Sequence, residues 1–458
     1  MTAGWTVKCV VAGTVLAAAI LCSFYAYQFV IVGTAYSAHI LCSGLFVSGR
    51  PLDAVRSTDL GADDLAPLRY LTTEVDVSAR RVRAHLYGIA PRTAVYRGRL
   101  GCLVDDAAPL DVDTPAAASP GAQSTQLSQS TKNAALNAAL DWAFAEPDPI
   151  RQRRTRAVVV VHGGGVIAER YADGFDATTP QLGWSMAKSV VNALVAVLVK
   201  EGRLALDAPI GNRLWPEGDP RQSVTLSQML RMSSGLDFDE DSINPRGGVL
   251  YMLLRAPDVP AYAAAAPLAE TPGTRWRYSS ATTNLILAAI RRVVGEAEYA
   301  TLPGRALFDR IGMRSAVMET DARGNYIGSS FVWATARDWA RFGLLYLNDG
   351  EWNGERVLPD GWVEYSRTPA PAAADRQYGA HFWLKVAPNY ERPSPIFEFP
   401  PDTFHAIGHE GQFLTIIPSR RVVIVRLGLT RDDGAWDHRE FVRRVLAGID
   451  EGTGAPPP

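Results

Sequence analysis

The chain has 458 residues, 47% hydrophobic and 21% charged, enough for a large buried core with smaller appendages. Its 46 Lys and Arg against 48 Asp and Glu leave a net charge of −2, so no polybasic surface for nucleic acid is implied. The seven His and four Cys fall in no metal-ligand spacing, and no phosphate loop or dinucleotide fingerprint occurs; no metal or organic cofactor is implied.

From Cys9 to Val47 there is no Lys, Arg, Asp or Glu. Residues 10–32 are almost continuously apolar, about the length that spans a bilayer as a helix. Residues 1–34 therefore read as a transmembrane anchor or signal, with the rest of the chain in the periplasm or outside the cell. In an oxidising compartment Cys42 and Cys102 are disulfide candidates, the alternative being two free buried thiols. Residues 35–104 read as a small β-rich prelude, because 82–87 alternate at period two and 93–97 follow a break at Pro91. Residues 105–130, rich in Ala, Pro, Ser, Asp and Gln, read as a linker.

The main module is expected over 131–452. Leu136, Leu140 and Phe144 are spaced by four and predict an amphipathic helix. Residues 157–161 predict a strong strand, Gly163-Gly164-Gly165 turns it, and 166–171 return. Short helices are expected over 225–232, 284–294 and 339–347, the last opened by a capping signature at Thr335. Residues 413–417 and 422–427 predict a late hairpin, and 439–449 a closing helix. Strands thus flank a helical middle. The expectation is a mixed sheet with an inserted all-α subdomain and a cleft between them.

Ser185-Met186-Ala187-Lys188 opens the apolar run 190–199. On a helix, positions i and i+3 share a face, so the Ser hydroxyl and the Lys amine would lie side by side at its N-terminus. A desolvated Lys can take a Ser proton and turn a poor nucleophile into a good one. Tyr278, in Tyr278-Ser279-Ser280, follows the turn at Pro272-Gly273. His409 sits between glycines in Gly408-His409-Glu410-Gly411-Gln412, just before the late hairpin; glycines there permit close backbone approach.

Ser-x-x-Lys, Tyr-Ser-Ser and His-x-Gly, in that order, resemble the serine β-lactamase and penicillin-binding-protein superfamily. The class C-like branch of esterases and 6-aminohexanoate-dimer hydrolases is the nearer likeness. Leu230 to Leu236, Pro272-Gly273 and Ala336-Arg337-Asp338 support it, and the likeness covers about 131–449. It implies an α/β (α+β) fold of β-lactamase type and a serine hydrolase acting through an acyl-enzyme on small esters or amides. Ser185 would be the nucleophile, Lys188 its base, and Tyr278 the proton relay to the leaving group. His409 and Gly411 would occupy the strand motif, and backbone N–H groups of Ser185 and Gln412 the oxyanion hole.

Two departures from the likeness concern specificity. Ser280 stands where many β-lactamases carry Asn, and His409-Glu410 where they carry Lys-Thr. An anionic Glu410 would repel a substrate carboxylate, so β-lactams are expected to be poor substrates and neutral or amine-bearing esters and amides better ones. Alternatives remain a β-lactamase or D-amino-acid peptidase of the same fold, or an inactive membrane-tethered protein binding cell-wall peptides. His162-Gly163-Gly164-Gly165 with Gly183-Trp184-Ser185 also mimics α/β-hydrolase motifs. The two lie too close in sequence for that fold, and the hairpin already uses the glycines.

Overall fold

The computed structural model describes residues 2–104, 133–241, 244–386, 397–431 and 433–453. The expected linker, 105–130, lies outside the described residues.

Helix α1, Thr2–Phe46, is the one described helix long and apolar enough to cross a membrane, by length and composition. It does not stop near residue 34. Its first half bares Val10, Val15, Leu16 and Ile20, whereas Ile31, Ala35, Ala38, Leu41 and Cys42 are buried. The change follows the sequence. Beyond Val32 the large aliphatics give way to Gly33, Thr34, Ala35, Ser37 and Ala38, small residues that let a helix lie close to a sheet. The prelude is that sheet. Strands β1 (Thr72–Asp76), β2 (Arg81–Leu86), β3 (Ile89–Tyr96) and β4 (Cys102–Val104) are antiparallel in that order. Val82, Ala84 and Ala94 pack on Ala38 and Leu41, and the short helix α2 (Leu52–Asp59) adds Val55.

Cys42 and Cys102 are joined in a disulfide. Beside it, buried Glu319 bonds His39 Nε2 at 2.7 Å and accepts from Ser43 Oγ at 2.7 Å and the Cys102 N–H at 2.9 Å. One carboxylate therefore ties α1, the prelude and the main module together.

The main module is built on a five-stranded sheet: β5 (Thr155–His162), β6 (Gly165–Tyr171), β12 (Phe404–Gly408), β13 (Gln412–Ile417) and β14 (Val422–Gly428), in the order β12-β13-β14-β5-β6. Every pairing is antiparallel, so the expectation of a mixed sheet is corrected. Two hairpin runs supply the strands, and β14 meets β5 head to tail. Residues 157–161 of β5 are apolar without alternation because both faces are covered. Val158 and Val160 meet helix α3 (Ala134–Phe144) and the closing helix His438–Thr453. Val159 and Val161 face α4 (Ala187–Lys200) and the helix Ala336–Leu347. Thr335 caps the latter, its hydroxyl accepting from the Asp338 N–H at 3.1 Å.

The segment between β6 and β12 is largely helical but not purely so. It holds a three-stranded sheet, β7 (Gln181–Leu182), β8 (Val317–Met318) and β9 (Val332–Ala334), and a two-stranded one, β10 (Glu351–Trp352) with β11 (Glu355–Arg356).

Candidate active site

Ser185 lies in a 3-10 turn, Trp184–Met186, that runs straight into α4. From Ala187 to Leu198 every residue of α4 is buried, which fixes the turn firmly in the core. Lys188, one turn along, is 1% exposed. Its Nζ donates to Ser185 Oγ at 3.0 Å, Ser280 Oγ at 3.1 Å and the Ser329 carbonyl at 2.9 Å. The Tyr278 ring centre lies 4.7 Å from the same Nζ. Three of the expected residues, Ser185, Tyr278 and Ser280, thus converge on the amine of a fourth, Lys188. Nothing but one short hydrogen bond separates it from the candidate nucleophile, the distance over which a proton moves.

The helix expected over 284–294 begins earlier, at Ser280. Ser279 caps it, accepting from the Thr282 N–H at 3.2 Å, and so points Ser280 at Lys188. On its other side Ser280 Oγ donates to Glu240 Oε2 at 3.0 Å, and its backbone N–H donates to Oε1. Glu240 was not legible beforehand. It lies in an irregular acidic stretch whose sequence gives no sign of burial, yet burial pushes its carboxyl up, against the pull of Lys188. Tyr278 stands among Trp276, Tyr378 and Trp383, an aromatic wall along the site.

The Gly408–Gln412 stretch reaches the site from the sheet edge. β12 ends at Gly408, which pairs across to Gln412 on β13. Gly408 is pressed against the turn before Ser185: a Cβ there would come within 2.2 Å of the Gly183 carbonyl. Backbone cannot yield so far cheaply. Gly408→Ala is expected to cost at least about tenfold in activity and about 2 kcal/mol in stability, read from ester hydrolysis and chemical unfolding. Gln412 braces the turn with its side chain, Nε2 donating to the Gly428 carbonyl at 2.7 Å and the His409 carbonyl at 3.1 Å. Fully buried Arg426 supports it from behind through the Gly411 carbonyl at 2.7 Å, and burial pushes its guanidinium down to about 9.

His409 is exposed, its ring 5.5 Å from that of Trp184. Glu410 corrects an expectation. Its side chain is only 5% exposed, and both oxygens are engaged. Trp184 Nε1 donates to Oε2 at 2.7 Å, and Arg431 Nη1 to Oε1 at 2.6 Å. A bare Glu410 repelling a substrate carboxylate is therefore not what the site contains. His381 supports the site from within: its Nδ1 donates to the Lys188 carbonyl at 2.9 Å. His162 ends β5, and the Gly163-Gly164 turn closes the hairpin.

Residues 140–445 match the family described as Beta-lactamase. The chain belongs to that family. Among its relatives is the 6-aminohexanoate-dimer hydrolase of Paenarthrobacter ureafaciens, 31% identical over 222 residues, covering 46% of this chain and 56% of the relative. Esterase EstB of Burkholderia gladioli is 33% identical over 188 residues, covering 36% and 47%. The chain spans about half the length of these curated relatives. A Bacillus anthracis structure assigned as a 6-aminohexanoate-dimer hydrolase superposes with a TM-score of 0.55 at 24% identity, over 67% of this chain and 81% of that one. This last likeness concerns the fold.

Proposed function

We propose that the protein is a serine hydrolase that cleaves small esters or amides through an acyl-enzyme, anchored in a membrane by the N-terminal part of α1. The observation that carries the reading is the 3.0 Å contact between Ser185 Oγ and the Nζ of buried Lys188. Ser185 attacks the acyl carbon while its proton passes to Lys188 Nζ. The negative oxygen that forms is held by the backbone N–H groups of Ser185 and Gln412. Collapse expels the alcohol or amine, which takes a proton relayed through Tyr278; water then repeats the sequence to free the acid. His409 and Gly411 line the acyl site. The names of the relatives, an esterase and an amide-dimer hydrolase, agree with this substrate class. In this reading 1–34 is the anchor, 35–104 a prelude, 105–130 a linker and 131–452 the catalytic module, exported to the periplasm or beyond.

The test is hydrolysis of p-nitrophenyl acetate by the full chain in detergent, followed by mass spectrometry of the acid-quenched enzyme. An acetyl group on the peptide bearing Ser185, with Ser185→Ala slower by about 10³-fold or more, is the expected result. Equal activity in the two proteins would refute it.

A further inference from the structure

Asp64 belongs to the prelude, in the 3-10 turn Asp63–Tyr70, and Arg431 follows β14 of the main module. The two are joined by a fork. Arg431 Nε donates to Asp64 Oδ1 at 2.8 Å and Nη2 to Oδ2 at 2.6 Å. This is the bidentate geometry with which a guanidinium grips a carboxylate from any source. The remaining nitrogen, Nη1, donates to Glu410 and lies 3.3 Å from His409 Nε2. The Arg431 side chain is 12% exposed, whereas that of Asp64 is 63% exposed. The guanidinium is thus a fixed wall group, and Asp64 is a lid placed on it from the solvent side. The hydrogen bond from Arg431 holds the Asp64 carboxyl below its ordinary range, so the lid is charged near neutral pH.

We propose that Arg431 is a carboxylate-binding group beside His409, and that Asp64 of the prelude fills it as an internal substitute for a substrate carboxylate. The prelude then acts as a specificity element. Substrates bearing a carboxylate near the acyl group meet an occupied fork, while neutral substrates do not compete with Asp64. The inference rests on the reading that places the acyl site at Ser185 and His409.

The experiment compares two esters on the full chain: p-nitrophenyl butyrate, which is neutral, and the mono-p-nitrophenyl ester of glutaric acid. Asp64→Asn is expected to raise the ratio of kcat/KM, anionic over neutral, by about fivefold or more, chiefly through KM. Turnover of the neutral ester should stay within about twofold. Asp64→Glu should restore the wild-type ratio, and Asp64→Asn combined with Arg431→Gln should lose the gain. An unchanged ratio in Asp64→Asn, or a gain that survives loss of Arg431, overturns the proposal. A second reading needs no turnover. Added glutarate should raise the thermal midpoint of Asp64→Asn and leave that of the wild type and the double variant in place. If no variant hydrolyses either ester, the Ser185 reading fails, and the glutarate shift still decides whether Asp64 covers an anion site. Equal shifts in all three proteins count against it.

Discussion

Replacing Lys188 by Met is expected to lower kcat/KM for p-nitrophenyl acetate by about 10³-fold while the thermal midpoint stays level or rises. Both halves follow from the surroundings of Nζ. It donates to two hydroxyls and one carbonyl, with no carboxylate in direct contact. A Lys side chain held at 1% exposure among neutral partners is poorly repaid for its lost hydration. Met matches Lys as far as Cε, fills most of the same space between α4 and the helix Ser280–Val294, and carries no polar head group to desolvate. Two terms oppose the gain. The Ser329 carbonyl loses a donor, and Glu240 loses the charge that draws its carboxyl down, so it moves further toward the neutral acid. The terms are of similar size, so stability should shift little while the base is gone. Activity and unfolding are measured on one preparation. A variant within tenfold of the wild type would remove Lys188 from the mechanism. A large fall in midpoint with activity lost would mean that the site collapsed and the activity said nothing about the base.

The contrast between Lys188 and Glu240 shows which parts of the site the sequence could reveal. Ser185 and Lys188 are three residues apart across the 3-10 turn that runs into α4, so local geometry alone sets them face to face. The hairpins β5–β6 and β13–β14 were legible for the same reason: apolar runs on either side of a turn need no distant partner. Direction was not legible. The pairing of β14 with β5 spans most of the main module, and strand sequences do not say which way a distant neighbour runs. The extent of α1 was hidden because beyond Val32 its composition stops looking like a membrane span and starts looking like a small-residue packing face. Glu240, Arg431 and Asp64 are ordinary charged residues in irregular segments. Their meaning lies in partners from 21 to 367 positions away. The motifs of the family fixed the centre of the site, and the charged ring around it had to be seen in three dimensions.

Acid should unfold this protein over an unusual window, from about pH 6.5 downward, because three buried His must be neutral in the fold. Burial pushes His381 and His405 down to about 3 and His438 well below its ordinary value. The hydrogen bonds around His438 agree. The Trp436 indole can only donate, so His438 Nδ1 at 3.4 Å must accept, and Nε2 carries the proton shared with Thr415 Oγ1 at 2.7 Å. The single hydroxyl proton of Thr415 is then left for His405 Nδ1 at 2.9 Å. A further proton on either ring would set donor against donor. The unfolded chain binds these protons with ordinary His affinity, so below pH 6.5 it holds more of them than the fold, and stability falls as pH drops. The penalty is absent above that pH and grows at about 1.4 kcal/mol per pH unit for each His until the folded value is reached. At pH 5 it is about 2 kcal/mol each for His381 and His405, about 4 kcal/mol together, with His438 adding in the same direction, against a typical total of about 5–15 kcal/mol. Urea unfolding of the full chain in detergent from pH 7.5 to 5.0 should show uptake of close to three protons. His405→Asn, which keeps an acceptor facing Thr415, should remove about a third of that slope. A stability flat across this range would mean that the buried rings accept protons in the fold, contrary to their hydrogen bonds.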